Sequence, residues 1–248
     1  MAAPPSLRRA IVAASGALAL FWLGMAGTVL AFPVAGAITC PTCYGLERLD
    51  DNTFTERPLT DELRRGIAEV LAESRRRVST FYGGLSADPR ILVCVTEACY
   101  RRIGGGEARG TSLLDIALRL SPRGIDPVIA SHEGSHIELH QRVGRIHFLM
   151  GAIPAWFDEG VAVVVSDDPR YLAPDGIADR CLAWSDEPLP SGASEWGRQA
   201  GVDNELYAKA ACRVAQWISA RSGPVAVTRL LARVSAGTSF ATAYADQD

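Results

Sequence analysis

Apolar and polar positions alternate along this chain with periods that predict its elements. From Leu59 to Phe81, the residues Leu63, Ile67, Val70, Leu71, Val78 and Phe81 share one face of a 3.6-residue repeat, with arginine and glutamate elsewhere. That spacing predicts a helix, started by Thr60 or Asp61 and ended by Gly83-Gly84. Ile91 to Val95 reads as a short β-run. Ile116, Leu118 and Leu120 alternate with Ala117, Arg119 and Ser121, the pattern of a half-buried strand. Asp126-Pro127 supplies an N-cap and a first-turn proline for a helix reaching Val143, where Gly144 stops it. A second helix is expected over Pro154 to Val165. Residues 185–202, rich in Ser, Gly, Pro and acid, read as a loop, and helices are expected over Asn204–Ala220 and Pro224–Ser235. Helix, short strands, then helices is an α+β order.

The N-terminus breaks this pattern. Arg8 and Arg9 precede an uncharged run that lasts until Glu47. Its apolar heart, Ile11 to Phe32, would be about 33 Å long as a helix, close to the hydrocarbon thickness of a bilayer. The flanking arginines orient the N-terminus to the cytoplasm and the rest of the chain outside it. Two readings stand: an uncleaved signal anchor, or a secretory signal cut after Val34-Ala35-Gly36-Ala37. The expected organisation is therefore a targeting segment over 1–37, a linker over 38–57 and one domain over 58–248.

Cysteine usage fits export. All six cysteines follow the apolar segment, an even number suited to an oxidising compartment. Neighbours in sequence suggest Cys40–Cys43, Cys94–Cys99 and Cys181–Cys212 as pairs. Cys40-Pro41-Thr42-Cys43 also permits a redox pair or half of a zinc knuckle. The net charge of −3 and the pI near 5.9 give no reason to expect nucleic acid as a partner.

Chemistry concentrates in His132-Glu133-Gly134-Ser135-His136, an H-E-x-x-H motif inside the Asp126–Val143 helix. Residues i and i+4 lie on one helical face, so two imidazoles can meet one Zn²⁺ at about 2.0–2.1 Å each. Glu133 then stands beside the metal, where its carboxylate can take a proton from water. Only four histidines exist in the chain, and half of them sit in this turn. Zinc needs a third protein ligand. His140 lies one turn on, but about 12 Å of helix rise from His132, too far to share one ion with both histidines. His147 falls beyond the helix end. Glu159 is the better candidate. It sits among Trp156, Phe157, Val161 and Val163, and a carboxylate there needs a partner that a cation would supply.

H-E-x-x-H followed by Pro154-Ala155-Trp156-Phe157-Asp158-Glu159-Gly160-Val161-Ala162 resembles the gluzincin peptidases, the superfamily of thermolysin and the zinc aminopeptidases. The specific likeness covers about residues 112 to 166. It implies His132, His136 and Glu159 as ligands of one zinc ion, Glu133 as general base, and a catalytic domain with a small sheet beside the metal helix. Val163 stands where the thermolysin type carries an Asp that orients a ligand, so Asp158, Asp167 and Glu138 are the candidates for that role. Tyr207, on a helix that similar domains place near the site, is the expected oxyanion donor, with Tyr171 and His147 as alternatives.

The expectation is a zinc-dependent peptidase acting on peptides or proteins outside the cytoplasm, joined to the membrane by its N-terminal segment or released from it. Rival readings are a membrane-tethered pseudopeptidase that only binds, and an envelope thiol–disulfide protein using Cys40 and Cys43.

Overall fold

The computed structural model describes residues 32–174, 176–177 and 179–246. The expected targeting segment lies outside them up to residue 31. Among the described residues no helix is long and apolar enough to cross a membrane.

The architecture is α+β, built on one mixed five-stranded sheet. Its strands are β1 (Leu46–Arg48), β2 (Thr53–Glu56), β3 (Arg90–Val93), β4 (Gly110–Leu113) and β5 (Ala117–Leu120), in the order β1-β2-β3-β5-β4. The outer pairs are antiparallel, and β3 runs parallel to both β2 and β5. One face carries Ile91, Val93, Leu118 and Leu120. It packs on Ile67 and Leu71 of helix α2 (Asp61–Tyr82) and on Ile129 and Ala130 of helix α4 (Pro127–Val143). The opposite face packs Leu92 and Ala117 against Cys94, Cys99, Tyr100 and Ile103, in and around α3 (Glu97–Arg102), and against Ala37 and Ile38 of α1 (Pro33–Thr39).

A larger, wholly helical core lies beyond α4. There α6 (Ala155–Ser166), α8 (Leu206–Ser219) and α9 (Val225–Ser235) gather Leu139, Phe157, Val161, Val214, Trp217 and Leu230. The short helices α5 (Arg145–Leu149), α7 (Ala193–Ala200) and α10 (Phe240–Ala245) complete the chain. Local chemistry sets the ends of the long helices. The Thr60 hydroxyl accepts from Leu63 N at 3.2 Å to open α2, and Gly83 closes it at φ +71°.

The structure differs from the expected organisation in two places. Residues 38–57 are not a linker. They hold β1 and β2, and β2 pairs with β3 inside the sheet. These strands are three and four residues long, and Thr53, Phe54, Thr55 and Glu56 are all buried, so no alternation shows in the sequence. The end of the expected targeting segment overlaps α1, where Gly36, Ala37 and Ile38 are buried. The loop expected over 185–202 contains α7, whose Trp196 is buried. The cysteines pair as Cys40–Cys43, Cys94–Cys99 and Cys181–Cys212, each with its neighbour in sequence.

Candidate metal centre

Helix α4 begins on Asp126, whose Oδ1 accepts from Val128 N at 2.8 Å and Ile129 N at 3.3 Å. Further along, the helix presents His132 and His136 towards α6, and Glu133 towards β4. Gly134, between them, faces the other way. A Cβ there would meet Val78 Cγ2 of α2 at 3.2 Å, so the close crossing of α2 accounts for a glycine inside this helix. On α6, a Cβ on Gly160 would lie 2.6 Å from the Ala210 carbonyl oxygen. Glycine therefore lets α6 press against α8 immediately after Glu159.

Packing α6 on α4 brings three ligand atoms together. His132 Nε2 and His136 Nε2 are 3.2 Å apart, and Glu159 Oε2 lies 3.3 Å from the first and 3.6 Å from the second. Three ligands at tetrahedral angles and about 2.05 Å from one zinc ion stand about 3.3–3.4 Å from each other. The triangle matches that spacing on all three sides. Glu159 Oε2 is also buried and accepts no aligned hydrogen bond, which leaves a lone pair directed at the two imidazoles. The spacing of these three residues fits a zinc ion held by three protein ligands.

His136 Nδ1 lies 2.8 Å from Asp158 Oδ1, and His140 Nε2 lies 3.0 Å from Asp158 Oδ2. A carboxylate only accepts, so both rings donate to it. The His136 proton is thereby fixed on Nδ1, and Nε2 offers its lone pair to the triangle. His136, His140 and Asp158 are near enough to be read as a second metal cage. Their contacts of 2.8 and 3.0 Å are hydrogen-bond lengths, shorter than the edge that a shared zinc needs.

The other candidates from the sequence go elsewhere. Glu138 points away from the site and accepts from Ser86 N, Ser86 Oγ and Ala87 N, with Arg142 alongside. Asp167 pairs with Arg180. His147 holds the Val143 carbonyl beyond the end of α4 and does not join the cluster. Of the three acids considered for orienting a ligand, Asp158 alone touches a candidate ligand, His136.

Charge is tightly balanced in this cluster. Burial would raise the Glu159 carboxyl, but His132 and His136 outweigh it and hold it at about 2. Burial likewise opposes ionisation of Asp158, but His136 and His140 keep it well below the usual carboxylate range. Burial disfavours the charged form of His136, yet Asp158 and Glu159 raise that imidazole well above its ordinary value. A proton and a metal ion compete for the same lone pairs here. Burial pushes the Glu133 carboxyl up. His132 and His136 pull it down, Glu159 adds to the rise, and the Ser112 amide opposes it. Glu133 reaches the outermost strand β4, where a Cβ on Gly110 would stand 2.8 Å from Glu133 Cγ.

Tyr207 flanks the triangle, its ring 6.4 Å from that of His132. It stacks on Tyr171 at 5.1 Å and meets the Trp196 ring edge to face at 5.2 Å. Burial, followed by the Glu159 charge, pushes its phenol far above the ordinary tyrosine range, so it stays a hydrogen-bond donor.

No family model, curated protein or solved structure matches this chain.

Proposed function

We propose that this protein is a zinc-dependent peptidase of the gluzincin kind, exported or membrane-anchored through its N-terminal segment. The carrying observation is the three-sided ligand set of 3.2, 3.3 and 3.6 Å with a carboxylate beside it. His132, His136 and Glu159 would hold the ion. Zinc bound in such a seat supplies Lewis acidity towards a carbonyl and lowers the pKa of water towards about 7.

The chain's own residues do the rest. Glu133 takes the proton of the attacking water and delivers it to the leaving amine. Its burial favours the protonated form in the second half of that exchange. Tyr207 keeps its proton and donates a hydrogen bond to the developing oxyanion. An extended peptide laid along the outer edge of β4 would pass Glu133, and β-strand addition would supply its main-chain hydrogen bonds.

The test is Glu133→Gln assayed on a peptide library. The variant should keep one zinc per chain, measured by mass spectrometry, and lose about 100-fold or more in kcat/KM. A variant with full activity removes Glu133 as the base. A well-folded, zinc-supplied wild type that holds no zinc removes the whole reading.

A further inference from the structure

The buried His140 is left without a role by the reading above. It sits one turn past His136, and its ring runs nearly parallel to that of His136 with centroids 5.8 Å apart. Phe148 of α5 covers it at 3.6 Å. Its Nε2 donates to Asp158, while its Nδ1 is buried and has no partner.

That is an uneconomical way to fill a core position. An imidazole with one nitrogen unsatisfied costs more than a phenylalanine or leucine of similar bulk. The single hydrogen bond that this ring makes goes to the carboxylate that orients a ligand. A carboxylate held at one oxygen can swing about its terminal torsion, which is a broad and soft one. Asp158 is held at both. Oδ1 receives His136 Nδ1–H and Oδ2 receives His140 Nε2–H. Phe148 stops the His140 ring from turning away. The result is a continuous chain of contacts, Phe148 to His140 to Asp158 to His136, ending on a ligand atom of the triangle.

We infer that His140 is a positioning residue for the metal seat: by clamping the far oxygen of Asp158 it fixes the ring of His136. The inference rests on the proposed zinc site and adds to it a third histidine, one that is not a ligand. It predicts that the site is tuned from His140 without any contact between His140 and the ion.

The experiment compares His140→Phe, His140→Gln and His140→Asn in the full chain. The readouts are zinc affinity by chelator competition and the visible spectrum of the Co²⁺-loaded protein. Phenylalanine keeps the bulk and removes the donor. Glutamine places an N–H near the former Nε2, whereas asparagine is too short to reach Asp158. Zinc affinity should fall roughly 10–100-fold in the Phe and Asn variants, with an altered Co²⁺ spectrum, and return towards wild type in Gln. If His140→Phe does not fold, the Asn and Gln pair decides the matter. Wild-type affinity and spectrum in folded Phe or Asn variants would overturn the inference and make His140 a packing residue. Loss of the proposed site itself would look different, because the wild type would then bind neither zinc nor Co²⁺.

Discussion

The two sides of α4 hold buried acids under opposite regimes. On the side facing the sheet and α2, Glu138 is saturated. Two backbone amides, a hydroxyl and the Arg142 guanidinium occupy its oxygens. That side borders a cavity of about 470 Å³, where Glu138 forms part of the wall with both its oxygens already engaged. On the side facing α6, Glu159 keeps an oxygen with no aligned donor, 3.3 Å from one imidazole nitrogen and 3.6 Å from another. A buried carboxylate whose lone pairs are filled by the protein holds the fold together. One whose oxygen lies open beside two imidazole nitrogens is suited to receive a positive charge.

Paired substitutions break this comparison most sharply. Glu159→Ala should cost more zinc affinity than the roughly 10–100-fold lost when an outer partner of a ligand is removed. In the metal-free fold it should cost only the pairing of Glu159 with His132 and His136, a smaller loss in thermal melts than in zinc binding. Glu138→Ala should do the reverse. It strands Arg142 and the Ser86 and Ala87 amides, so it should destabilise the fold by about 3–5 kcal/mol while the folded fraction still binds zinc. Zinc at about 1,000 times the wild-type Kd should add roughly 4 kcal/mol to wild-type stability, and less than about 1.4 kcal/mol to a Glu159→Ala variant weakened more than about 100-fold. Equal zinc affinity in the two variants would sink the distinction.

Protons probe the same difference. His136 has its imidazole raised above the ordinary 6.5. In the metal-free protein its contribution is therefore complete below that ordinary value and is lost as pH rises through the raised one. Glu159 moves oppositely. Held at about 2 against an ordinary 4.5, it contributes above 4.5 and loses that contribution as pH falls towards 2. Zinc replaces the proton of His136, so its apparent affinity should climb about tenfold per pH unit until the raised pKa is passed. Denaturant titrations with and without zinc should show a metal-dependent gain that grows with pH. A gain independent of pH would mean that His136 gives up no proton to the metal.

These contrasts differ in how far the sequence foretold them. Helix α4 runs from Pro127 to Val143, the span read from Asp126-Pro127 and Gly144. His132 and His136 were legible because i and i+4 on one helix need no tertiary knowledge. Glu159 was legible as an acid in an apolar helix. Asp158 was one of three candidates, and nothing local separates it from Glu138. What separates them is how α6 lies across α4. The link from His140 to Asp158 was hidden for the same reason. Helix rise argues against His140 as a third ligand, and its partner sits eighteen residues away on another element. Strand β4, which touches Glu133, was missed because Gly110-Thr111-Ser112-Leu113 shows no alternation of apolar and polar residues.

The smallest expected effects come from the two glycines, one on each side of the comparison. In Gly160→Ala the new methyl would stand 2.6 Å from the Ala210 carbonyl, which is backbone and cannot turn aside. Helices α6 and α8 must separate, at about 1–3 kcal/mol, and the shift begins next to Glu159, so zinc affinity should fall as well. In Gly134→Ala the methyl would meet Val78 Cγ2 at 3.2 Å, a side-chain atom that needs to yield only a few tenths of an ångström. Alanine also gains roughly 1 kcal/mol of helix propensity over glycine, which offsets the crowding. The net change should stay within about 1 kcal/mol, with zinc affinity unchanged, because the methyl points at α2 and away from the triangle. Melting curves and chelator titrations of the two variants check both statements. A Gly134→Ala protein with weakened zinc binding would mean that the two sides of α4 are mechanically coupled.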